Sequence, residues 1–418
     1  RSRESVSEML KVVLIFFVGV VGLCAAATQL EEVFAWKEVS FAWPSEEAKN
    51  EAVKTGDYIV HNNLPLGVER WRDRIFVTVP RWKAGVASSL NYVPLTPANK
   101  TASLIPYPDW KANTLPKGEE KPAENAVIST FRVKVDACDR LWVMDTGLAD
   151  ILGSPNLVSP PAIVIFDLRT DKLIRRYTLK DSDLKGEESF FANIVVDATP
   201  DKCDEAFAYI PDLGGYGLVV YSFAENDSWR IKHNFFHFDP LSGDLTIGGV
   251  NFQWTDGLFG LALSPQNENG YRTLYFHALA STNEFSVNTE VLRNKTLATD
   301  PSQYNMFKLE GSKGPGSQTS ASVLDEKTNI LFLTQLCKDG VACWNTKKPL
   351  NPENLGLIVQ DHENLIFTND MKLDHERNLW ILSDKMPIFI YKDLNPEEVN
   401  YRIFKVPVDE AMKGTICE

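Results

Sequence analysis

The chain alternates short apolar runs with polar turns, and one arrangement recurs. In DACDRLWVMD (Asp136 to Asp145) and in DHERNLWILSD (Asp374 to Asp384), an Asp closes one apolar run and a polar turn follows. A Trp then lies six residues after that Asp, inside the next apolar run. Side chains that alternate apolar and polar along a short segment mark a half-buried strand, and a short polar break between two such segments marks a hairpin. Related segments centre on Phe76 (RIFVTVP), Phe207 (EAFAYIPD), Tyr275 (TLYFHAL) and Phe332 (ILFLTQL), alongside Trp142 and Trp380. Most are preceded by another short strand ending in a turn: FRVKVD, NIVVD, FGLALSP, SASVLD and NDMKLD. Further strand pairs follow several of them, in AIVIFDLRTDKLIRRYTL, LVVYSFAENDSWRIKH and IFIYKDLNPEEVNYRIF.

Six units of about four antiparallel strands, at a period of about 60 residues, predict an all-β six-bladed β-propeller. A small sheet cannot bury both of its faces alone, so it stacks its aromatic residues on the next, and a ring leaves no end sheet exposed. Helical periodicity is nearly absent. The exception is SEEAKNEAV, where Ser45 is placed to cap a short helix and Glu46 and Glu47 favour its positive end. The polar, Pro- and Lys-rich stretch from Thr96 to Asn125 reads as a surface loop. No linker divides the chain, so residues 28–418 are expected to form a single propeller domain.

Near the N-terminus, Lys11 precedes an apolar run from Val12 to Leu23, and Cys24-Ala25-Ala26-Ala27 follows. This is the pattern of a secretory signal peptide cleaved after Ala27, with Met9 as the natural start and the preceding residues upstream of it. The run is short for a membrane span, and no other apolar stretch would cross a bilayer. Residues 1–27 are therefore expected to be upstream residues plus a leader, and the remainder secreted and extracellular, with no membrane association after cleavage. A net charge of −13 argues against nucleic acid and anionic membranes as partners, because no basic patch offsets phosphate repulsion.

An oxidising compartment makes disulfides the default for the cysteines that remain. Cys138 and Cys203 sit in equivalent turns of consecutive hairpins, so neighbouring blades bring them together, while Cys343 and Cys417 are placed to clamp the C-terminal tail. Cys337 is then the odd thiol. Sequons at Asn99, Asn226 and Asn294 are glycosylation sites if exposed. No zinc-spaced cysteine or histidine set, HExxH, GxSxG, P-loop or GxGxxG occurs.

Several segments carry a family likeness. NNLPLGVERWRDRIFVTVPRWKAGVASSLNYV, LIPYPDW, RLWVMDTG, FDLRTDKLIRRY, GGVNFQWTDGLFGLALSP, GYRTLYFHALAS, ACWN and LWILSDKMP resemble the yellow / major royal jelly protein family of insects. The likeness runs from about Trp36 to Cys417. It implies a secreted six-bladed propeller, and members carry cysteine at the positions of Cys138, Cys203, Cys343 and Cys417. It also implies several roles: cuticle pigmentation and melanin formation, dopachrome conversion, binding of biogenic amines, and nutritive or signalling functions.

In a propeller the first strand of each blade lines a central tunnel. The polar residues at those strand starts are Glu69, Asn193, Asp256, Thr319, Ser320, Asn369 and Asp370, with Phe191 and Phe367 beside them as aromatic walls. They are expected to converge on one mouth. A pocket with apolar walls and a few placed polar groups suits a small molecule, and a carboxylate with aromatic faces suits an amine. The expected ligand is a catecholamine-type or other small aromatic amine, bound without a cofactor, with cuticle or matrix proteins as further partners. Three alternatives are dopachrome isomerisation or tautomerisation, a metal-dependent lactonase-like hydrolysis using oxygen ligands at the strand starts, and a structural or nutritive role. His277 is a candidate general base. His233 and His237 read as outer-strand packing.

Overall fold

The computed structural model describes residues 29–95 and 99–418, so the leader expected over 1–27 lies outside the described residues. Among these residues, six four-stranded antiparallel sheets account for most of the strands. In order from inner to outer strand, sheet I is Gly67–Trp71, Arg74–Thr78, Leu90–Pro94 and Ile105–Pro106; sheet II is Thr130–Val135, Arg140–Asp145, Ala162–Asp167 and Lys172–Thr178. Sheet III is Val195–Asp197, Phe207–Asp212, Gly217–Ser222 and Asp227–Lys232; sheet IV is Leu258–Leu263, Thr273–Ala278, Asn283–Asn288 and Lys308–Ser312. Sheet V is Ser322–Asp325, Ile330–Gln335, Gly340–Asn345 and Leu355–Gln360. Sheet VI is Thr368–Leu373, Asn378–Ser383, Tyr401–Pro407 and, from the start of the chain, Glu31–Trp36.

The recurrent aromatic residues Phe76, Trp142, Phe207, Tyr275, Phe332 and Trp380 all fall on the second strand of their sheets. The Asp-to-Trp spacing of the opening motif has a direct cause. The Asp136 carboxylate accepts the backbone N–H groups of Cys138 and Arg140, which closes the turn, and its second oxygen accepts the Trp142 indole N–H at 2.8 Å. Asp374 repeats this with Glu376, Asn378 and the Trp380 indole, also at 2.8 Å. One carboxylate thus satisfies a tight turn and a buried indole together, which fixes both the turn length and the position of the ring.

The same end of the inner strands is stitched from sheet to sheet. Glu69 of sheet I pairs with Lys134 of sheet II at 2.8 Å, and Asp197 of sheet III with Arg272 of sheet IV at 2.9 Å. Arg272 also meets Glu326, beside sheet V, at 2.7 Å. Asp325 of sheet V pairs with Arg377 of sheet VI at 2.9 Å, and Asp374 of sheet VI with Arg70 of sheet I at 2.6 Å. Sheets II and III are joined at this end by the Cys138–Cys203 disulfide, and Cys343–Cys417 holds the C-terminal tail to sheet V. Cys337 is free. The inner strand of sheet I lies against those of sheets II and VI, that of sheet III against II and IV, and that of sheet V against IV and VI.

Two expectations change. The stretch from Thr96 to Asn125 is more than a surface loop: Ile105–Pro106 pairs with Leu90–Pro94, and Leu104 and Tyr107 are buried. Its Asn113 accepts the backbone N–H groups of Ser89 and Leu90. The apolar content of LIPYPDW is what draws it in. The segment IFIY is the end of a helix, Met386–Tyr391, with Pro387 in its first turn, and not an outer strand. The strand it would have supplied comes instead from Glu31–Trp36, which pairs antiparallel with Tyr401–Pro407. The helix read at SEEAKNEAV spans Glu46–Thr55, and the Ser45 hydroxyl accepts the N–H of Ala48.

Replacing Asp374 with Ala leaves the Trp380 N–H without its acceptor and the Arg70 guanidinium with only the exposed Glu376 as its carboxylate partner. The expected loss of stability is about 3–5 kcal/mol, against about 1–2 kcal/mol for Trp380→Phe, which removes only the indole donor. Denaturant titration followed by far-UV circular dichroism checks both; equal losses in the two variants would contradict this account.

Candidate functional site

Three inner strands are bulged at their first residues. The register slips between Thr130 and Val133, between Leu258 and Gly260, and between Thr368 and Asp370. A bulge gives one strand an extra residue and re-aims its side chain. The residues at these slips include Phe131, Phe259 and Asn369, and all three face one cavity of about 240 Å³.

That cavity is an aromatic cage. Trp82, Phe131, Phe190, Trp254, Phe259 and Phe367 line it, with Leu66, Leu213, Leu279 and Met386 filling between them. Trp82 meets Phe131 edge to face at 4.9 Å, Phe131 meets Phe190 at 5.0 Å, and Trp254 meets Phe367 at 5.8 Å. The Trp254 indole donates to the Tyr391 hydroxyl at 2.8 Å, which ties the cage to the Met386–Tyr391 helix. Phe367 holds a left-handed backbone, φ 54°, a strained conformation for a bulky residue at the mouth of a cavity.

Asp256 is the one acidic side chain lining the cage. Its backbone carbonyl accepts the N–H of Ala280, but among the described residues its carboxylate has neither a hydrogen-bond donor nor a cationic partner. Burial alone pushes its pKa up to about 6. The other polar side chain, Asn369, donates to Asp384 at 2.6 Å. Burial holds the Asp384 carboxyl well above the usual carboxylate range.

Arg132 packs behind one wall of the cage. Its guanidinium lies 4.3 Å from the Phe259 ring centroid and donates to the backbone carbonyls of Ser320, at 2.9 Å, and Asn369. Its Nε is 3.4 Å from Asp370. Beyond it lies a second cavity, of about 390 Å³.

The strand-start residues therefore do not share one mouth. Asp256, Phe367 and Asn369 line the aromatic cage. Asn193 and Asp370 line the second cavity. Asn193 donates to the Phe259 carbonyl, and Asp370 is held by Lys372, Arg132 and the N–H of Val68. Thr319 and Ser320 are fully buried, their hydroxyls donating to the carbonyls of Ser317 and Thr368. Phe191 packs in an apolar cluster with Trp142 and Ile163 and not in the cage; its neighbour Phe190 takes the wall position expected of it. Glu69 is spent on Lys134 and the N–H of Val135. His277 is fully buried, 2.8 Å from Glu284, and lines neither cavity. His233 accepts the N–H of Phe235 and stacks on Phe307, and His237 stacks on Tyr216. The sequon asparagines Asn99, Asn226 and Asn294 are exposed. Trp82, Trp254 and Met386 escape a reading confined to strand starts, although each lies inside a segment carrying the family likeness, TVPRW, FQW or SDKMP.

A sequence profile of the major royal jelly protein family matches residues 128–417. Protein yellow of Drosophila subobscura is 41% identical over 408 residues, 97% of this chain and 70% of the relative. Protein yellow of Drosophila melanogaster is 41% identical over 396 residues, 94% of this chain and 71% of the relative. Among solved structures, luciferin-regenerating enzyme aligns with a TM-score of 0.46 at 11% identity, covering 87% of this chain and 94% of that one. Virginiamycin B lyase from Staphylococcus aureus aligns at 0.42 and 8% identity, covering 83% and 96%.

Asp256 makes a stability prediction. Its folded pKa, about 6, lies above an unfolded value of about 4. The folded state therefore binds more protons between the two values, and stability falls as pH rises through that window. Asp256→Asn should stabilise the unliganded protein by about 1–3 kcal/mol above pH 6, the range reflecting partial solvent screening, and by little below pH 4. Thermal denaturation across pH 4 to 8 measures this; a variant no more stable than the parent at pH 7.5 contradicts it.

Proposed function

The chain belongs to the major royal jelly protein family, and on that footing we propose that it is a secreted, single-domain, six-bladed propeller that holds a small aromatic amine in its aromatic cage, in a pigmentation or melanin pathway. The six sheets are then the blades. The cyclic order of inner-strand neighbours and the stitching of Asp374 back to Arg70 support a closed ring. The pairing of Glu31–Trp36 with the last strand supports closure by the two ends of one domain. The disulfides support an oxidising compartment. Among the described residues, no helix is long and apolar enough to cross a membrane.

The observation that carries the ligand class is the unpaired Asp256 carboxylate within a wall of six aromatic rings. A half-buried carboxylate without a partner is costly, and an ammonium ion removes that cost by charge pairing while the rings hold it through their quadrupoles. The ring of the ligand fills the apolar remainder of a cavity whose size suits a small aromatic molecule. A catecholamine-type or related amine meets all three requirements.

One observation favours a second reading. A carboxylate whose pKa is raised to about 6 is poised near neutrality as a general base, so the same residue would serve a dopachrome-type isomerisation. A metal-dependent hydrolysis at the strand starts has less to support it: Arg132 and Lys372 stand beside Asp370, where their charge repels a cation.

Calorimetric titration with dopamine, serotonin and octopamine, run beside an absorbance assay of dopachrome decay, tests both readings. The expected result is one-to-one binding at neutral pH that weakens as pH falls below 6 and is lost by about 10- to 100-fold in Asp256→Asn. No saturable binding of any of the amines overturns the amine reading. Accelerated decay that Asp256→Asn abolishes favours the enzyme instead.

A further inference from the structure

The second cavity, on the far side of Arg132, has a different chemistry. We propose that it binds a small organic carboxylate, with the anionic head held by Lys134, Lys372 and Ser322 and the body lying on an apolar wall that includes Leu261 and Val323.

Charge is the first argument. At the floor, three cations, Arg132, Lys134 and Lys372, face two carboxylates, Glu69 and Asp370. The balance is one positive charge. Around the rim the charges are largely matched: Asp136 pairs with Arg140, Asp197 and Glu326 with Arg272 and Arg293, and Asp325 and Asp374 with Arg377 and Arg70, which also reach the exposed Asp409 and Glu376. A single uncompensated cation in a partly desolvated cavity selects a monoanion over a dianion.

Unused hydrogen-bonding capacity is the second argument. The Ser322 hydroxyl and the Arg132 Nε are buried and make no hydrogen bond among the described residues. Ser322 lines the cavity and is only 9% exposed, and its unpartnered hydroxyl carries a desolvation cost that a hydrogen-bond acceptor reaching it would remove. Lys134 uses one donor on Glu69 and, among the described residues, none on another side chain. Burial holds the Lys372 ammonium below its ordinary value against the pull of Asp370, and Arg132 adds to the depression; a bound anion relieves both.

The full secreted chain is titrated calorimetrically with sodium benzoate at low ionic strength, with benzyl alcohol as the neutral probe. Saturable one-to-one binding of benzoate and none of benzyl alcohol is expected. Lys134→Gln should weaken benzoate by about fivefold or more, and Glu69→Gln, which preserves volume and removes an opposing carboxylate, should tighten it. Lys134 is half-buried, so its variant is expected to fold, and thermal denaturation confirms that both variants do. Asp256→Asn should leave benzoate binding unchanged, which separates this site from the amine cage. The proposal is overturned if benzoate does not saturate, if benzyl alcohol binds equally well, if both charge variants bind as the parent does, or if Asp256→Asn removes binding.

Discussion

A carboxylate at the end of an inner strand is the interaction on which the rest of the molecule depends. Asp374 closes its own turn, anchors its own indole and grips an arginine from the neighbouring sheet. A four-stranded sheet with apolar residues on both faces cannot bury both of them alone. Joining each sheet to the next through a buried charge sets the angle at which the aromatic faces meet, and hence whether the inner strands surround a usable space. Where sheets II and III meet, Asp136 is occupied by Arg140 of its own turn, and a disulfide makes the junction instead.

Much of this was legible in the chain. The aromatic hairpins follow from period-two alternation, and the six-residue Asp-to-Trp step follows from the reach of one carboxylate. What escaped detection shares a cause: the local pattern was overruled by something distant in sequence. The residues IFIY at 388–391 have strand composition but fold as helix because Glu31–Trp36 already fills the edge they would have paired with. Alternation fails at the bulges, where an added residue reverses which side chain faces inward, so Phe131 and Phe259 could not be placed from parity. Asp256 was legible because it needs no parity argument: it is a charged residue between apolar segments, and the lack of any cationic partner among the described residues is a property of the assembled cage.

The two cavities divide the chemistry of the axis. Arg132 stacks on Phe259 of the aromatic cage and also lines the polar cavity. A buried guanidinium is tolerable there because carbonyls of Ser320 and Asn369 and the carboxylate of Asp370 surround it. It keeps the positive potential on one side and leaves the unpaired carboxylate on the other. The cage therefore carries an electrostatic cost that a better-packed, neutral interior would avoid.

The edge pairing of Glu31–Trp36 with Tyr401–Pro407 also governs the timing of folding. The strand Glu31–Trp36 waits for a partner that follows all five other sheets in sequence, so sheet VI is completed only after those sheets have been made. Until then the first strand's unpaired amide edge is available to other chains. The edge is thus open to misassociation for as long as Glu31–Trp36 stands without Tyr401–Pro407. Chaperones of the compartment where it folds would be expected to act in that interval.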